Sequence, residues 1–284
     1  MSLAVIGAAG QLGRQVPADV GLTRDQLDLA RPETIVPALD RAQPQGVILT
    51  AAYTDVDGCE SNREHAYAVN GTGPGLVARW CEGNGAWLVL VSTNCVFDGS
   101  KDGPYVEDDE PRPISVYGAS KLAGEQAVKD STNRYFIVRT SWIFGPGGSN
   151  FVTKVLQWAS TQPVMKGVCD EHSSPTYAPD LGPALVALGL TGRYGTYHLA
   201  NAGSCSRLEY MQAILDEAGI EKAIEPVRLA DFQRPSRPPA QSALANTQAA
   251  ALGIELRPWR AALHEYVRAE LAGAGNRSAP GPLL

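Results

Sequence analysis

Residues 3–13 read LAVIGAAGQLG, an apolar run that passes directly into a loop with glycines at 7, 10 and 13. A buried strand that ends in such a loop is typical of the first turn of a doubly wound α/β sheet. Glycines at these positions permit a tight turn and let backbone N–H groups at the start of a helix approach a pyrophosphate closely. The stretch therefore predicts a dinucleotide site on the first strand.

Further apolar runs alternate with helical patterns in the first half of the chain. The runs at 46–51, 87–92 and 136–140 indicate buried strands, and the patterns at 74–82 and 120–129 indicate crossover helices. Strands that are apolar on both faces and separated by helices imply a parallel sheet covered on both sides. The sequence predicts an α/β fold, a Rossmann-type doubly wound parallel sheet with a smaller C-terminal substrate-binding domain.

The composition of the chain changes near residues 145–148, where glycine and proline interrupt the pattern. We predict an NAD(P)-binding Rossmann domain over 1–145 and a mainly substrate-binding domain over 146–271. The run at 194–200 resembles another strand that returns to the first sheet. The Gly-, Ala- and Pro-rich segment 272–284 is expected to be a flexible tail.

Charge and composition exclude several classes of partner. The 284 residues carry a formal net charge of -6 and no long basic run, which argues against nucleic acid and anionic membranes as partners. The apolar N-terminus has no preceding positive region, so we expect a cytoplasmic protein. The five cysteines are widely spaced and the four histidines scattered, which indicates reduced thiols and no metal site.

The segment after the glycine loop is irregular. An acidic partner for the ribose usually lies about 20 residues beyond the loop, yet Asp25 and Asp28 follow Gly13 much sooner, and Pro17 falls inside the expected helix. We expect the first helix or the second strand to be shortened. Either aspartate could still reach the adenosine half of the dinucleotide.

The sequence does not separate NADPH from NADH as the cofactor. A 2′-phosphate needs a nearby cation, and Arg14 and Arg24 are both candidates for that contact. Surface positions in solvent are an equally good interpretation of each arginine. We therefore expect either cofactor.

A candidate reaction centre lies at the end of the apolar run that begins at residue 87. Thr93 ends that run, and Tyr117 and Lys121 lie four residues apart at the start of a predicted helix, so they share one helix face. An ammonium group beside a phenol would lower the phenol pKa from about 10, so that the phenol could exchange a proton near neutral pH. This is general-acid chemistry for a carbonyl group, with Thr93 bonded to the same oxygen.

Together these motifs resemble the extended short-chain dehydrogenase/reductase superfamily and, more closely, the dTDP-4-dehydrorhamnose reductase family. The G-x-x-G-x-x-G spacing favours this superfamily over the G-x-G-x-x-G type. The resemblance runs from residue 3 to about 266, and its other carriers are AAYTDVD at 51–57, YAVN at 67–70, VFDG at 96–99, VYGASKLAGE at 116–125, RTSW at 139–142, SPTYAPD at 174–180 and PWR at 258–260.

The resemblance implies reduction of the 4-keto group of a TDP-4-keto-6-deoxyhexose with NADPH or NADH in deoxysugar biosynthesis, by a monomer or homodimer. The implied catalytic residues are Tyr117, Lys121 and Thr93. The implied cofactor-binding residues are Gly7, Gly10, Gln11, Leu12, Gly13, Asp28, Leu29, Ala51, Ala52, Tyr53, Thr54 and Lys121. The implied substrate-binding residues are Thr93, Asn94, Tyr117, Trp142 and Arg237.

Several positions depart from the family pattern. Family members usually carry Asp-Tyr where this chain has Asn94 and Cys95, which alters the expected sugar pocket. Gln15 stands where some relatives place a glutamate that binds Mg²⁺, so no metal is expected. Dehydratases of the superfamily carry two carboxylates at 94 and 95, and this chain has neither.

Two other functions are compatible with these departures. One is a non-catalytic dinucleotide-binding subunit that resembles the regulatory partner of methionine adenosyltransferase, although the retained Tyr117 and Lys121 count against it. The other is a different nucleotide-sugar reductase or an epimerase of the superfamily, which would differ in how the ketosugar is held.

Overall fold

The computed structural model describes residues 2–277. The strands are β1 (Leu3–Ile6), β2 (Val20–Leu22), β3 (Gly46–Leu49), β4 (Trp87–Thr93), β5 (Tyr135–Thr140), β6 (Ile143–Phe144), β7 (Met165–Val168), β8 (His172–Ser173), β9 (Thr176–Tyr177), β10 (Gly195–His198), β11 (Cys205–Ser206) and β12 (Ile224–Val227). The helices are α1 (Pro32–Ala42), α2 (Val56–Ser61), α3 (Arg63–Tyr67), α4 (Gly73–Asn84), α5 (Val116–Lys129), α6 (Phe151–Thr161), α7 (Ala178–Leu190), α8 (Arg207–Ala218), α9 (Thr247–Ala250) and α10 (Trp259–Arg277).

A six-stranded parallel sheet forms the centre of the molecule, in the order β10-β5-β4-β3-β1-β2. Each neighbouring pair is parallel, so the carboxyl ends of all six strands lie at one edge. β1 lies between β2 and β3, so the sheet is built outward from β1 in both directions. Such a switch point is where doubly wound sheets bind ligands. The predicted Rossmann-type fold is confirmed.

Helices cover both faces of the sheet because its strands are apolar on both sides. Along β4, Trp87 and Val89 belong to one hydrophobic cluster, which includes Leu181 and Leu185 of α7. The alternate residues of the strand, such as Leu88, pack with α1 and α4 on the opposite face. This alternation buries every position of β4, and it explains why the strand sequence has no polar face.

The segment after the glycine loop is shortened, as the sequence predicts, but the α-helix expected there is absent. A single 3-10 turn at Gly13–Gln15 replaces it, and the chain then enters β2. Pro17 lies between the two; it has no N–H to continue a helix and restricts the backbone before it. The expectation of a helix that opens directly at the glycine loop was therefore wrong.

The second half of the chain builds a smaller group of elements and returns one strand to the sheet. β10 pairs with β5 at the sheet edge, within the run 194–200 that indicated a strand. Three two-stranded pairs, β6-β9, β7-β12 and β8-β11, accompany α6, α8 and α10. The expected tail from residue 272 begins within α10, and residues 278–284 lie outside the described part of the chain.

The glycine loop depends on a close approach that only glycine permits. A Cβ at Gly13 would lie well inside 3 Å of the Gly7 carbonyl oxygen, whereas a Cβ at Gly83, on the exposed side of α4, would meet nothing within 4 Å. We expect Gly13→Ala to lower the free energy of unfolding by about 1–3 kcal/mol. The control Gly83→Ala should raise it by about 0.4–1 kcal/mol. Urea unfolding of both variants checks this, and equal stabilities would contradict it.

Candidate active site

A cavity of about 630 Å³ opens at the carboxyl edge of the sheet. Its walls come from the glycine loop after β1, the loop after β3, the end of β4 and the start of α5. A short segment after β5 and residues of the second half close the other end. The position is the one that the switch point in strand order predicts.

The glycine loop leaves backbone donors free at one end of this cavity. Gly10 N–H donates to the Gly7 carbonyl and Arg14 N–H to the Gly10 carbonyl. Within residues 2–277, the N–H groups of Gln11 and Leu12 have no backbone or side-chain acceptor. Unpaired N–H groups next to glycines fit the oxygens of a pyrophosphate, so the loop suits a dinucleotide although only one turn follows it.

The end of the cavity where the sequence predicts adenosine is lined by Leu29 and an ion pair. Asp28 accepts a bond from Ala30 N–H at 3.0 Å and pairs with Arg24, whose Nε lies 3.4 Å from Oδ2. Burial acts to raise the pKa of Asp28, but the Ala30 bond and the Arg24 charge outweigh it and lower that pKa. Arg14 turns away, because its Nε donates to the Ala9 carbonyl at 2.9 Å.

A buried asparagine fixes the loop after β3, which includes four of the predicted cofactor-binding residues. Asn70 Oδ1 accepts from Tyr53 N–H at 2.8 Å, and its Nδ2 donates to the Tyr53 carbonyl at 3.0 Å and to Ser120 Oγ at 3.1 Å. The loop is thereby tied to α5. All four members line the cavity, namely Ala51, Ala52, Tyr53 and Thr54.

The start of α5 places Tyr117 beside the end of β4. Ser115 caps the helix by accepting from Gly118 N–H at 3.2 Å. A Cβ at Gly118 would lie well inside 3 Å of the Cys95 carbonyl oxygen, so helix and turn are in direct contact. Tyr117 and Thr93 both line the cavity there, and the Thr93 hydroxyl is close enough to the phenol to act on its pKa. The structure thus joins two residues that lie 24 positions apart.

The protonation of this pair differs from the expectation. Burial, together with the nearby Cys95, raises the pKa of Tyr117 above its usual value, with the Thr93 bond opposing. Lys121 is buried on the same helix face, but its Nζ donates to the Val91 carbonyl at 2.8 Å. Burial lowers the pKa of Lys121 to about 8, opposed by Glu125. The predicted lowering of the Tyr117 pKa was wrong because burial removes the phenol from water, while the Lys121 ammonium is bonded to the Val91 carbonyl.

Trp142 and a charged pair form the other end of the cavity. Trp142 has a backbone φ of 42°, a conformation that costs about 1–3 kcal/mol outside glycine. The Arg207 guanidinium carbon lies 3.5 Å from the Trp142 ring centroid, and its Nη2 lies 3.2 Å from Oε1 of the buried Glu171. Trp142 lines the cavity as predicted, but one ring face is already covered by Arg207.

Asn94 joins the end of β4 to the second half of the chain. Its Nδ2 donates to Ser173 Oγ at 3.0 Å and to Ser242 Oγ at 2.8 Å, and its Oδ1 accepts from Thr93 Oγ1 at 3.2 Å. The amide is therefore engaged on both sides. Cys95, which also lines the cavity, has its thiol pKa raised by burial, so it stays protonated.

Of the predicted substrate-binding residues, Arg237 is not brought to the cavity. Its side chain is exposed and is absent from the lining, whereas Arg234 of the same Pro-rich run lines the cavity. Asp57 holds this run in place: Oδ1 accepts from Arg234 Nε and from Ser236 N–H, each at 3.0 Å, and from Ser236 Oγ. The position of Arg234 depends on a contact 177 residues apart in the chain, which no local pattern indicates.

Sequence reasoning missed Arg207, Glu171 and Arg234, which line the cavity alongside the predicted residues. Apart from Arg237, every site residue that the resemblance implies lies in that lining, whereas the other candidates Arg14 and Asp25 do not. Among the described residues, no cluster of three or more His, Cys, Asp or Glu side chains could hold a metal ion. None of the helices in the described part of the chain has the length and apolarity that crossing a membrane requires.

Comparison with known proteins gives consistent results. A family model described as RmlD substrate binding domain matches residues 1–271. A dTDP-4-dehydrorhamnose reductase of Mycobacterium tuberculosis is 42% identical over 279 residues, which cover 92% of this chain and 90% of that protein. The spore coat polysaccharide biosynthesis protein SpsK of Bacillus subtilis is 37% identical over 272 residues, 93% of this chain and 96% of that protein.

A solved structure is similar throughout the chain. The crystal structure of dTDP-4-dehydrorhamnose reductase from Bacillus anthracis in complex with NADP matches with a TM-score of 0.89 and 35% identity. The match covers 93% of this chain and 97% of that one. It therefore includes both the sheet and the smaller group of elements beside it.

The Asp57 contacts should keep the wall around Arg234 ordered. Asp57→Asn removes the charge that three donors share, and bonds to charged groups contribute about 1.5–3 kcal/mol. We expect backbone amide exchange near Ser236 to rise about tenfold or more, measured by hydrogen–deuterium exchange mass spectrometry. The exposed control Asp108→Asn should leave that segment unchanged. Unaltered protection in Asp57→Asn would show that this carboxylate does not hold the wall.

Proposed function

The chain belongs to the dTDP-4-dehydrorhamnose reductase family, and we propose that it reduces the 4-keto group of a TDP-4-keto-6-deoxyhexose with NADPH or NADH. The observation that carries the proposal is the meeting of Thr93, Tyr117 and Lys121 at the carboxyl edge of the sheet, inside a cavity that begins at the glycine loop. The named reductase relatives, aligned over nine-tenths of their length or more, support the same reaction.

The dinucleotide would lie along the first part of the cavity. The free N–H groups of Gln11 and Leu12 would bind its pyrophosphate, with Gly7, Gly10 and Gly13 giving the backbone room. Asp28, Leu29 and Arg24 would contact the adenosine half, and residues 51–54 the middle. Lys121 would hold the nicotinamide ribose. When bound, the reduced nicotinamide supplies the hydride.

Tyr117 would act as the general acid. Its raised pKa keeps the phenol protonated at neutral pH, so a proton is available for the carbonyl oxygen of the substrate. Thr93 would donate a hydrogen bond to the same oxygen and hold it near the phenol. Lys121, whose pKa is about 8, is largely charged at pH 7, and its charge favours the phenolate that remains after transfer.

The substrate would occupy the end formed by Trp142, Arg207, Glu171 and Asn94. Arg207 and Glu171 together offer donors and an acceptor, which suits sugar hydroxyls and the neighbouring diphosphate. Arg234 would give a second cationic contact for the diphosphate. Arg237 is exposed and has no such role in this proposal.

The other functions have less support. A non-catalytic subunit resembling the partner of methionine adenosyltransferase is not favoured, because the reactive trio is intact and the relatives are named as reductases. Reduction or epimerisation of a different nucleotide sugar would use the same trio. SpsK, the Bacillus subtilis relative named for spore coat polysaccharide, supports a product that enters a cell-surface glycan.

The domain division and cellular setting follow from the same proposal. Residues 1–145 together with β10 would form the NAD(P)-binding domain, and most of 146–271 the substrate-binding domain. The five cysteines are free thiols, which supports work in the reducing cytoplasm. The proposed enzyme is a monomer or a homodimer.

Replacing Tyr117 tests the reaction directly. Tyr117→Phe keeps the ring but removes the proton donor, so kcat with TDP-4-keto-L-rhamnose should fall about 10²- to 10⁴-fold. The oxidation of NADPH, followed by absorbance, measures this. Tyr194→Phe, at an exposed position, should behave as the parent. The proposed function fails if no ketosugar is reduced by the parent, or if Tyr117→Phe retains the parental rate.

Replacing Arg207 tests the substrate end. Arg207→Gln removes a charged donor worth about 1.5–3 kcal/mol, so KM for the ketosugar should rise about 10- to 100-fold. The Kd for NADPH, measured by fluorescence titration, should stay the same because the dinucleotide lies at the other end. Arg268→Gln, an exposed change on α10, serves as control. A rise in the NADPH Kd with an unchanged ketosugar KM would place Arg207 elsewhere.

A further inference from the structure

An ion pair lies buried beneath the reaction centre. The side chains of Glu125 on α5 and Arg139 on β5 are 0% and 2% exposed. Arg139 Nε donates to Oε1 at 3.1 Å and Nη2 to Oε2 at 2.7 Å, so the contact is bidentate. Ser92 Oγ, next to Thr93 on β4, adds a third bond to Oε1 at 2.5 Å. The carboxylate is therefore held rigidly between helix and sheet.

Stability alone does not explain the presence of this buried ion pair. Burial of two charges costs several kcal/mol per ion, and apolar side chains of similar volume often serve a core equally well. Glu125 follows Lys121 by four residues on α5, so both occupy one helix face with their Cβ atoms about 5–6 Å apart. Lys121 is 3% exposed, and its Nζ bonds to an uncharged carbonyl. A buried ammonium without a carboxylate nearby loses its proton easily.

Other titratable groups on the elements around α5 do not supply this charge. Tyr117 on α5 itself and the thiols have raised pKa values and are neutral. Glu60 accepts from Val116 N–H at the start of α5, and Asp57 is bound to Arg234. The thiols are Cys59, Cys81 and Cys95; the remaining groups are the exposed Asp55, Arg63, Glu64, Arg79, Glu82 and Lys129 and the partly buried His65, Tyr67 and Tyr135.

We propose that Glu125, fixed by Arg139 and Ser92, is a positioning residue that keeps Lys121 protonated and in place for the reduction. It touches neither substrate nor cofactor and acts through Lys121. Its effect on Lys121 can be observed in the protein alone, while its importance for turnover rests on the proposed function. The direction of the Lys121 pKa agrees, since burial lowers it to about 8 and Glu125 opposes that fall.

The test measures the protonation of Lys121 in the full chain without ligands. The protein is labelled with ¹³C-lysine, and the Cε shifts are followed from pH 6 to 10.5 by NMR. Because the chain has few lysines, the Lys121 signal is identified by its loss in Lys121→Arg. Glu125→Gln should lower the Lys121 pKa by about one unit or more. Asp130→Asn, which removes an exposed negative charge just after the same helix, should leave it unchanged.

Two further measurements separate the possible outcomes. The alkaline limb of kcat/KM against pH should move to lower pH with the Lys121 pKa in Glu125→Gln. If Glu125→Gln does not fold, the double variant Glu125→Gln with Arg139→Gln, which leaves no charge at the buried site, takes its place. The Lys121 pKa should again fall, but by less, because the positive charge of Arg139 is removed as well. An unchanged Lys121 pKa in the folded variant overturns the proposal. A lowered pKa in a protein that reduces no ketosugar supports the action of Glu125 on Lys121 and refutes only the proposed function.

Discussion

The contact between the first turn of α5 and the turn after β4 is the constraint on which the site depends. Gly118 lies so close to the Cys95 carbonyl that no side chain fits between them. Tyr117 immediately precedes this point and Thr93 ends the strand, so the backbone contact alone sets the phenol beside the hydroxyl. Lys121 lies about one helical turn after Tyr117 on α5, and its Nζ donates to the Val91 carbonyl. The geometry of Thr93, Tyr117 and Lys121 is thus fixed by helix-to-strand packing alone.

Two buried asparagines extend this rigidity to the rest of the cavity. Asn70 connects the loop after β3 to α5, and Asn94 connects the end of β4 to Ser173 and Ser242 in the second half of the chain. Each uses its donor and its acceptor together, which a carboxylate cannot do. An aspartate at 94, as the family pattern has it, would need the serine hydroxyls to reverse their bonds. The departure at this position therefore changes how the two halves are joined rather than adding a free group to the cavity.

The sequence is informative where a contact is local and uninformative where it is not. Strands such as β3 and β4 could be predicted from apolar runs, and the glycine loop from the spacing of its glycines. Both signals are local, because the hydrophobic pattern of a strand and the small residues that a tight turn needs lie next to each other in the sequence. The helix expected at Gly13 fails because Pro17 and the early β2 leave no space for it. Arg234 rather than Arg237 faces the cavity because of Asp57, far away in the chain. The pKa of Tyr117 also could not be predicted from the sequence, because the burial of its phenol depends on the whole fold.

A net charge of -6 does not favour the binding of anionic ligands. The cavity nevertheless offers positive charge, because arginines line it in fixed orientations. Each arginine in the lining has a carboxylate partner: Arg24 has Asp28, Arg207 has Glu171 and Arg234 has Asp57. The partner uses only some of the five N–H donors of a guanidinium and fixes its orientation. Less side-chain entropy is then lost when a phosphate or sugar oxygen takes the remaining donors. In the proposed function, recognition of an anionic dinucleotide and an anionic sugar nucleotide would depend on a few oriented donors, and the surface as a whole could stay acidic.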